Sequence, residues 1–540
     1  MNKVAEIAKK HIWLVIVLLM MIIATVLRVI ACYWGTPLAF HIDEQFILFP
    51  ALKLIERKTY ICTQYMRPDQ VEIKLLALVL NISSHILWGS NPNAVFDIHS
   101  VAIYLISRFC ISIFGIFMVP ISFIFSGHLA ESMKIRKRPI QIISALFMTF
   151  SPILIQHSGY ITPDVPLTCI FLLFGLFFMY YIEKGRIRDL IICAIIAGIG
   201  TMIKYPAGIL CIMIAFMVIY RAIKNHSYSK IFWYGILSAG IYLLTIIIIM
   251  PNLLTDFPSV VRYFTEETQV SYAFARDRGY PGNVLFYFAT AIKDAGYLSV
   301  FPFAIGIITV FSKRKESCYV FCIAPVFASC MAVLPVTLVR WTLPIFPYYY
   351  IMVAIGLSYT VEYVKEKKMV LLLTGYAIMF LTILNSVLSG LAEGKYLSLK
   401  DCRIYAMADL DEMGIDSYNT MSQIYTTLSP WYGEELLDHF SVSSDGIACI
   451  REEDAGYKYF AYTDNYLATY KQYPEMFSSE LQTYEAIERT YPLVYEIVPD
   501  GNYEQKAFAL SNIPYSLEYL LSQNKHLTGV RMRIVDISSP

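Results

Sequence analysis

The stretch LIICAIIAGIGTMIKYPAGILCIMIAFMVIYR, residues 190–221, decides the fold. It is almost wholly apolar, yet it is interrupted at Thr201-Met202-Ile203-Lys204-Tyr205-Pro206. Basic residues flank both ends, with Lys184, Arg186 and Arg188 before it and Arg221, Lys224 and Lys230 after it. Short loops rich in Lys and Arg stay in the cytoplasm, so the chain must go out and come back between them. Each apolar half is short against the ~20 residues a helix needs to cross the hydrocarbon. The turn therefore falls at 201–206. Lys204 then sits at or just inside the outer face, where an ammonium is costly unless an anion lies nearby.

The rest of the chain follows the same arithmetic. Of 540 residues 57% are hydrophobic and 16% charged, whereas about a quarter of a soluble globular chain is charged. With a mean hydropathy of +0.54, this is the composition of a multi-span membrane protein. The balance of 43 basic to 42 acidic residues leaves no basic surplus to track a phosphate backbone, which excludes nucleic acid as a partner. The run 12–34 follows Lys3, Lys9 and Lys10 and is longer than a signal-peptide core, so it reads as a retained first helix. Further runs lie near 101–130, 140–157, 164–182, 190–203, 206–222, 231–251, 284–311, 318–339, 342–362 and 369–390, making about eleven transmembrane helices.

Segment 71–88 is also apolar but carries Glu72, Lys74, Asn81 and His85. All the basic clusters, including Lys134 to Arg138, Lys313 to Lys315 and Lys365 to Lys368, fall on the side of the N-terminus only if 71–88 does not cross. Segments 44–58 and 71–88 are therefore read as interfacial helices within a first outer loop of 35–100, with the N-terminus cytoplasmic. From 393 the chain turns polar and tyrosine-rich. Strands are expected at 457–463 and 493–498 and helices at 402–413 and 476–489, giving a small extracytoplasmic α/β domain at 393–540 after a membrane domain at 1–392. It carries no nucleotide-binding or hydrolase signature. The eleven cysteines show no metal-ligand spacing, and only Cys402 and Cys449 are placed to form a disulfide.

Polar chemistry collects on the outer side. Asp43-Glu44 follows the first helix, and either a helix cap or a catalytic pair accounts for it. In Tyr160-Ile161-Thr162-Pro163-Asp164, Thr162 is placed to be an N-cap and Asp164 to favour the helix dipole. Arg340-Trp341 lies in an outer turn, as an anchor would. Arg28 and Arg108 lie within the outer halves of their helices and are expected to pair with carboxylates. Lys293-Asp294 reads as a packing feature, and His157 as structural. Asp43, Asp164, Arg67, Lys204 and Arg340 on one face together suggest an anionic substrate.

These pieces are Leu27-Arg28, Asp43-Glu44, Arg67-Pro68-Asp69, Arg108, Pro163-Asp164, Thr201 to Pro206 and Arg340 to Pro347. Their order over residues 10–390 resembles the polyprenyl-phosphate-dependent glycosyltransferases of the GT-C membrane fold, in particular the protein O-mannosyltransferase and lipid A aminoarabinose transferase group. The resemblance implies a polyprenyl-phosphate sugar donor delivered from the membrane lipids and a glycan, lipid or protein acceptor approaching from outside. It makes Asp43 the leading catalytic acid, with Glu44 the second member of its pair. Arg67 matches a phosphate-binding position, although Arg-Pro-Asp stands where the group has a basic residue and Pro-Pro. Phe46 stands where the group has another basic residue, which leaves Lys204 or Arg340 to compensate.

The expected reaction removes a proton from an acceptor hydroxyl while the sugar C1–phosphate bond opens. Asp43 would act as general base, worth about 10²- to 10⁴-fold, with Glu44 and Asp164 as the other catalytic acids. Arg67, Lys204 and Arg340 would stabilise the leaving phosphate. A single displacement would invert the anomeric centre. No cofactor is required, although Asp43, Glu44 and Asp164 could hold Mg²⁺ or Mn²⁺. The alternative is a transporter or flippase of a lipid-linked saccharide, which the missing internal repeat disfavours.

Overall fold

A computed structural model describes residues 2–38, 40–62, 69–269, 278–334, 337–364, 369–423, 426–428, 439–451, 456–472, 474–475, 477–505, 509–522 and 527–538. The chain forms two compact units that interleave in sequence. The first comprises Met1–Cys32, Ile47–Gly394 and Gln505–Leu521, and the second Tyr33–Phe46, Lys395–Glu504 and Ser522–Pro540. Two segments, 33–46 and 505–521, thus group with the unit other than that of their sequence neighbours.

In the first unit the backbone must satisfy its own polar groups against lipid, so long apolar runs become helices. Eight are long and apolar enough to cross a membrane, and ten if each of two bent pairs counts as one span. About eleven were expected. The run read at 284–311 is Gly279–Ala295 and Tyr297–Lys313, bent by 110° around Gly296, whose φ of +87 suits glycine. The run at 140–157 is likewise Lys137–Phe150 and Pro152–Ser158, bent by 51°. The run at 318–339 narrows to Glu316–Met331. Segment 71–88 becomes Gln70–Trp88, one of the eight by length and composition.

Breaks free backbone groups, and buried polar side chains take them up. Arg28 Nη2 donates to the Met148 carbonyl at 2.8 Å and Nη1 to Thr149 at 3.4 Å, at the C-terminal end of Lys137–Phe150. Arg108 Nη1 donates to the Cys32 carbonyl at 3.0 Å, where the first helix ends. Among the described residues, Arg28 thus meets the negative end of a helix rather than the expected carboxylate, and Arg108 reaches the carbonyl end of the first helix. Asp294 receives the Ile153 N–H at 2.9 Å and the Tyr350 hydroxyl at the start of Pro152–Ser158. Asn385 donates to the Ala295 carbonyl at 3.1 Å and accepts from Asn512 N–H at 2.6 Å, which ties Gln505–Leu521 to this unit.

Close helix packing relies on small residues. The helices Val300–Lys313 and Phe346–Val364 approach so tightly that a Cβ on Gly356 would overlap the Pro302 carbonyl, and one on Gly306 the Met352 carbonyl. By contrast, Gly235 on the Ser229–Ile249 helix has open space around it.

The second unit has strands β1 (Thr420–Ser422), β2 (Phe440–Val442), β3 (Ala448–Ile450), β4 (Tyr459–Thr463), β5 (Leu493–Ile497) and β6 (Met532–Asp536). One sheet runs β1-β4-β6-β5, with β1 and β4 parallel and the other pairings antiparallel; β2 and β3 form a separate antiparallel pair. All five residues of β4 are buried, as an inner strand requires. The helices Cys402–Glu412 and Ser478–Thr490 lie close to where they were expected. Asp401 caps the first of them, accepting from Arg403 N–H at 3.0 Å and from its guanidinium at 2.8 and 2.6 Å. That guanidinium lies 3.6 Å from the Phe40 ring centroid, which holds the 33–46 segment in this unit. Cys402 and Cys449 are both free thiols, so the expected disulfide is absent: Cys402 is buried and donates to the Val530 carbonyl, while Cys449 is exposed.

Gly356→Ala should force the two packed helices apart, costing about 1–3 kcal/mol and lowering the Tm of the purified protein. Gly235→Ala should leave it unchanged or slightly raised.

Candidate active site

The break in the deciding stretch builds the site. Helix Ile187–Ile203 ends, and Lys204 becomes extended with φ −158 and ψ 128 while its N–H still bonds the Gly200 carbonyl at 2.8 Å. The turn Tyr205–Ile209 then starts the return. Only glycine fits comfortably at 200, where a Cβ would lie 3.0 Å from Ile170 and 3.1 Å from Ala207. Lys204 Nζ reaches Asp164 Oδ1 at 2.6 Å. Asp164 is the first residue of helix Asp164–Lys184 and is 2% exposed, while the Lys204 side chain is 18% exposed. The anion the sequence called for beside Lys204 is therefore Asp164.

The capping role expected for Thr162 is not taken up. Pro163 occupies the N-cap position, and the buried Thr162 hydroxyl has no hydrogen-bond partner among the described residues. Asp164 instead serves the ion pair, with Arg340 and His157 within electrostatic reach of its carboxylate. Arg340 sits in the Val339–Ile345 turn, next to Trp341, whose ring centroid is 5.3 Å from Lys204 Nζ.

Sequence reasoning missed a further member. Glu72, in the first turn of Gln70–Trp88, is 1% exposed, and neither carboxylate oxygen has a hydrogen-bond partner among the described residues. Asp69, Asp164 and Lys204 all lie within its electrostatic reach. Its charge entered the sequence reading only as a reason for 71–88 not to cross. The signal was available, since an acidic residue in an apolar helix is costly and marks function by default.

Asp43 and Glu44 belong to the second unit, in a short turn Ile42–Glu44 where both are buried and the Glu44 N–H bonds the His41 carbonyl at 3.1 Å. Arg67 lies outside the described residues. Among the described residues, no three His, Cys, Asp or Glu side chains gather as a metal site would need. The first unit thus brings together Asp164, Lys204 and Arg340 and adds Glu72 and Asp69.

Comparison with known proteins places this arrangement. Residues 93–254 match the dolichyl-phosphate-mannose-protein mannosyltransferase family. Archaeal oligosaccharyltransferase AglB from Archaeoglobus fulgidus, solved with an inhibitory peptide and a dolichol-phosphate, superposes with a TM-score of 0.53 at 11% identity, over 90% of this chain and 73% of that one. The fold is that of the GT-C membrane glycosyltransferases. The apo form of the Archaeoglobus fulgidus oligosaccharyltransferase gives 0.52 at 10% identity over 92% and 75%. ArnT from Cupriavidus metallidurans in the apo state gives 0.46 at 10% over 75% and 73%. No curated protein matches in sequence. Within this GT-C frame the matched 93–254 segment contains both Asp164 and Lys204.

Removing one partner of a buried ion pair strands the other, at a cost of about 3–5 kcal/mol. Asp164→Asn and Lys204→Met should each lower the Tm. The double variant should recover part of the loss, with a coupling on the order of 1–3 kcal/mol in a double-mutant cycle.

Proposed function

We propose that this membrane glycosyltransferase takes a sugar from a polyprenyl-phosphate carrier and passes it to a hydroxyl of a glycan, lipid or protein acceptor on the extracytoplasmic face. One observation carries the reading: a GT-C fold in which the Asp164–Lys204 pair, Arg340 and Glu72 are gathered at a helix break. The dolichol-phosphate bound by AglB and the dolichyl-phosphate-mannose of the matched family support a lipid-linked donor for this chain. The basic clusters support a cytoplasmic N-terminus and an extracytoplasmic 393–540 domain. Both the family match and the fold are those of glycosyltransferases, so the flippase reading is not retained.

In the proposed step the acceptor oxygen attacks the sugar C1 as the bond from C1 to the phosphate oxygen breaks. The bonding pair leaves with the phosphate, and the acceptor proton passes to the Asp43 carboxylate. Arg340, with Arg67, offsets the charge growing on the phosphate. Lys204 does so while held by Asp164, which fixes its direction at the expense of part of its charge. Glu44 supports Asp43. Attack opposite the leaving group inverts the anomeric centre.

Asp43→Asn removes the base while keeping the shape. Transfer of labelled sugar by the purified variant should fall about 10²- to 10⁴-fold with the Tm close to wild type. Full transfer by the variant would remove Asp43 from that role.

A further inference from the structure

Glu72 is a buried acid in the first unit with both carboxyl oxygens lacking a hydrogen-bond partner among the described residues. A buried carboxylate is ordinarily paired or hydrogen-bonded, yet both Glu72 oxygens lack a hydrogen-bond partner among the described residues, and two of its charged neighbours are Asp69 and Asp164. The cation in reach, Lys204, is already committed to Asp164 at 2.6 Å. Among the described residues no side chain donates a hydrogen bond to offset its burial. Groups left unsatisfied at the expense of stability belong to binding sites.

The chemistry of the missing partner follows from the carboxylate. In either protonation state the group keeps an accepting oxygen, which a ligand answers with O–H or N–H donors. An ionised phosphate supplies no such donor, whereas each sugar hydroxyl does. The cluster therefore has two sides: Lys204 and Arg340 suit the phosphate, whereas Glu72 suits the hydroxyl-bearing part of the same molecule. The Thr162 hydroxyl, equally buried and without a partner among the described residues, lies two residues before Asp164 and offers a second polar group at this mouth. We propose that Glu72 is a specificity-determining residue that accepts hydrogen bonds from a hydroxyl of the sugar on the lipid-linked donor. This rests on the donor reading above and goes beyond it by assigning the sugar subsite.

The test uses the full chain, purified, with a polyprenyl-phosphate sugar that the wild type turns over and analogues of it lacking single hydroxyls. Loss of the hydroxyl read by Glu72 should lower wild-type kcat/KM by about 10- to 100-fold, the weight of a hydrogen bond to a charged group. Glu72→Leu should be slow with the full sugar but indifferent to that one hydroxyl, and its Tm should equal or exceed that of the wild type because a buried, unsatisfied carboxyl group has gone. Glu72→Gln, which keeps one accepting oxygen, should lie between the two in discrimination.

Variants that keep wild-type discrimination among the analogues would overturn the proposal. So would a fall in Tm for both, which would make Glu72 structural. A wild type that turns over no polyprenyl-phosphate sugar would remove the donor reading itself, and this assignment with it.

Discussion

An ion at the edge of a membrane needs a counter-ion, and the bond from Lys204 to Asp164 at 2.6 Å is where this protein meets that need. It joins the end of one apolar helix to the beginning of another, Ile187–Ile203 to Asp164–Lys184, and so fixes the position of the break. Glu72, Arg340 and His157 all feel one or both of its charges. The pair offsets the cost of ending a helix here and holds an ammonium beside a buried carboxylate.

The same logic recurs away from the site. Several bends and helix ends in the first unit are met by a buried polar side chain brought from far along the chain. Arg28 reaches Met148, Arg108 reaches Cys32, Asp294 reaches Ile153 and Asn385 reaches Ala295. These groups sit where lipid offers no hydrogen bonds, so broken helices persist only with such partners. Tyrosines do similar service. Tyr348 donates to the Phe171 carbonyl at 2.6 Å, and the Tyr349 hydroxyl lies 2.7 Å from that of Ser299.

Features governed by local composition could be read directly. The membrane class, the turn at 201–206 and the strands near 457–463 and 493–498 follow from hydropathy, loop charge and β-branched or aromatic alternation over a few residues. Features set by distant partners could not. The 110° bend depends on Gly296 lying against Asn385, nearly ninety positions away in a helix of its own. Arg28 is expected to meet a carboxylate because charge suggests charge, but it lies against the carbonyls of a helix end, which no sequence pattern marks. Gln505–Leu521 falls within the polar 393–540 stretch, and its tie to the first unit runs through Asn385, 127 positions from Asn512. Asp164 and Lys204 were both legible as candidates, but their pairing was not; Glu72 was passed over because its host segment was being judged for crossing rather than for chemistry.

The first unit gathers Lys204, Arg340, Asp164 and Glu72 at one helix break, the mixture of cations and carboxyl groups that the proposed lipid-linked donor calls for. The central proposal is that a polyprenyl-phosphate sugar is that donor. The most direct measurement is single-turnover transfer by the purified chain from a panel of labelled polyprenyl-phosphate sugars to membrane acceptors. The account predicts turnover of one donor, with the label joined covalently to the acceptor and unsugared polyprenyl phosphate released. Binding of every lipid without cleavage of any C1–phosphate bond would contradict it.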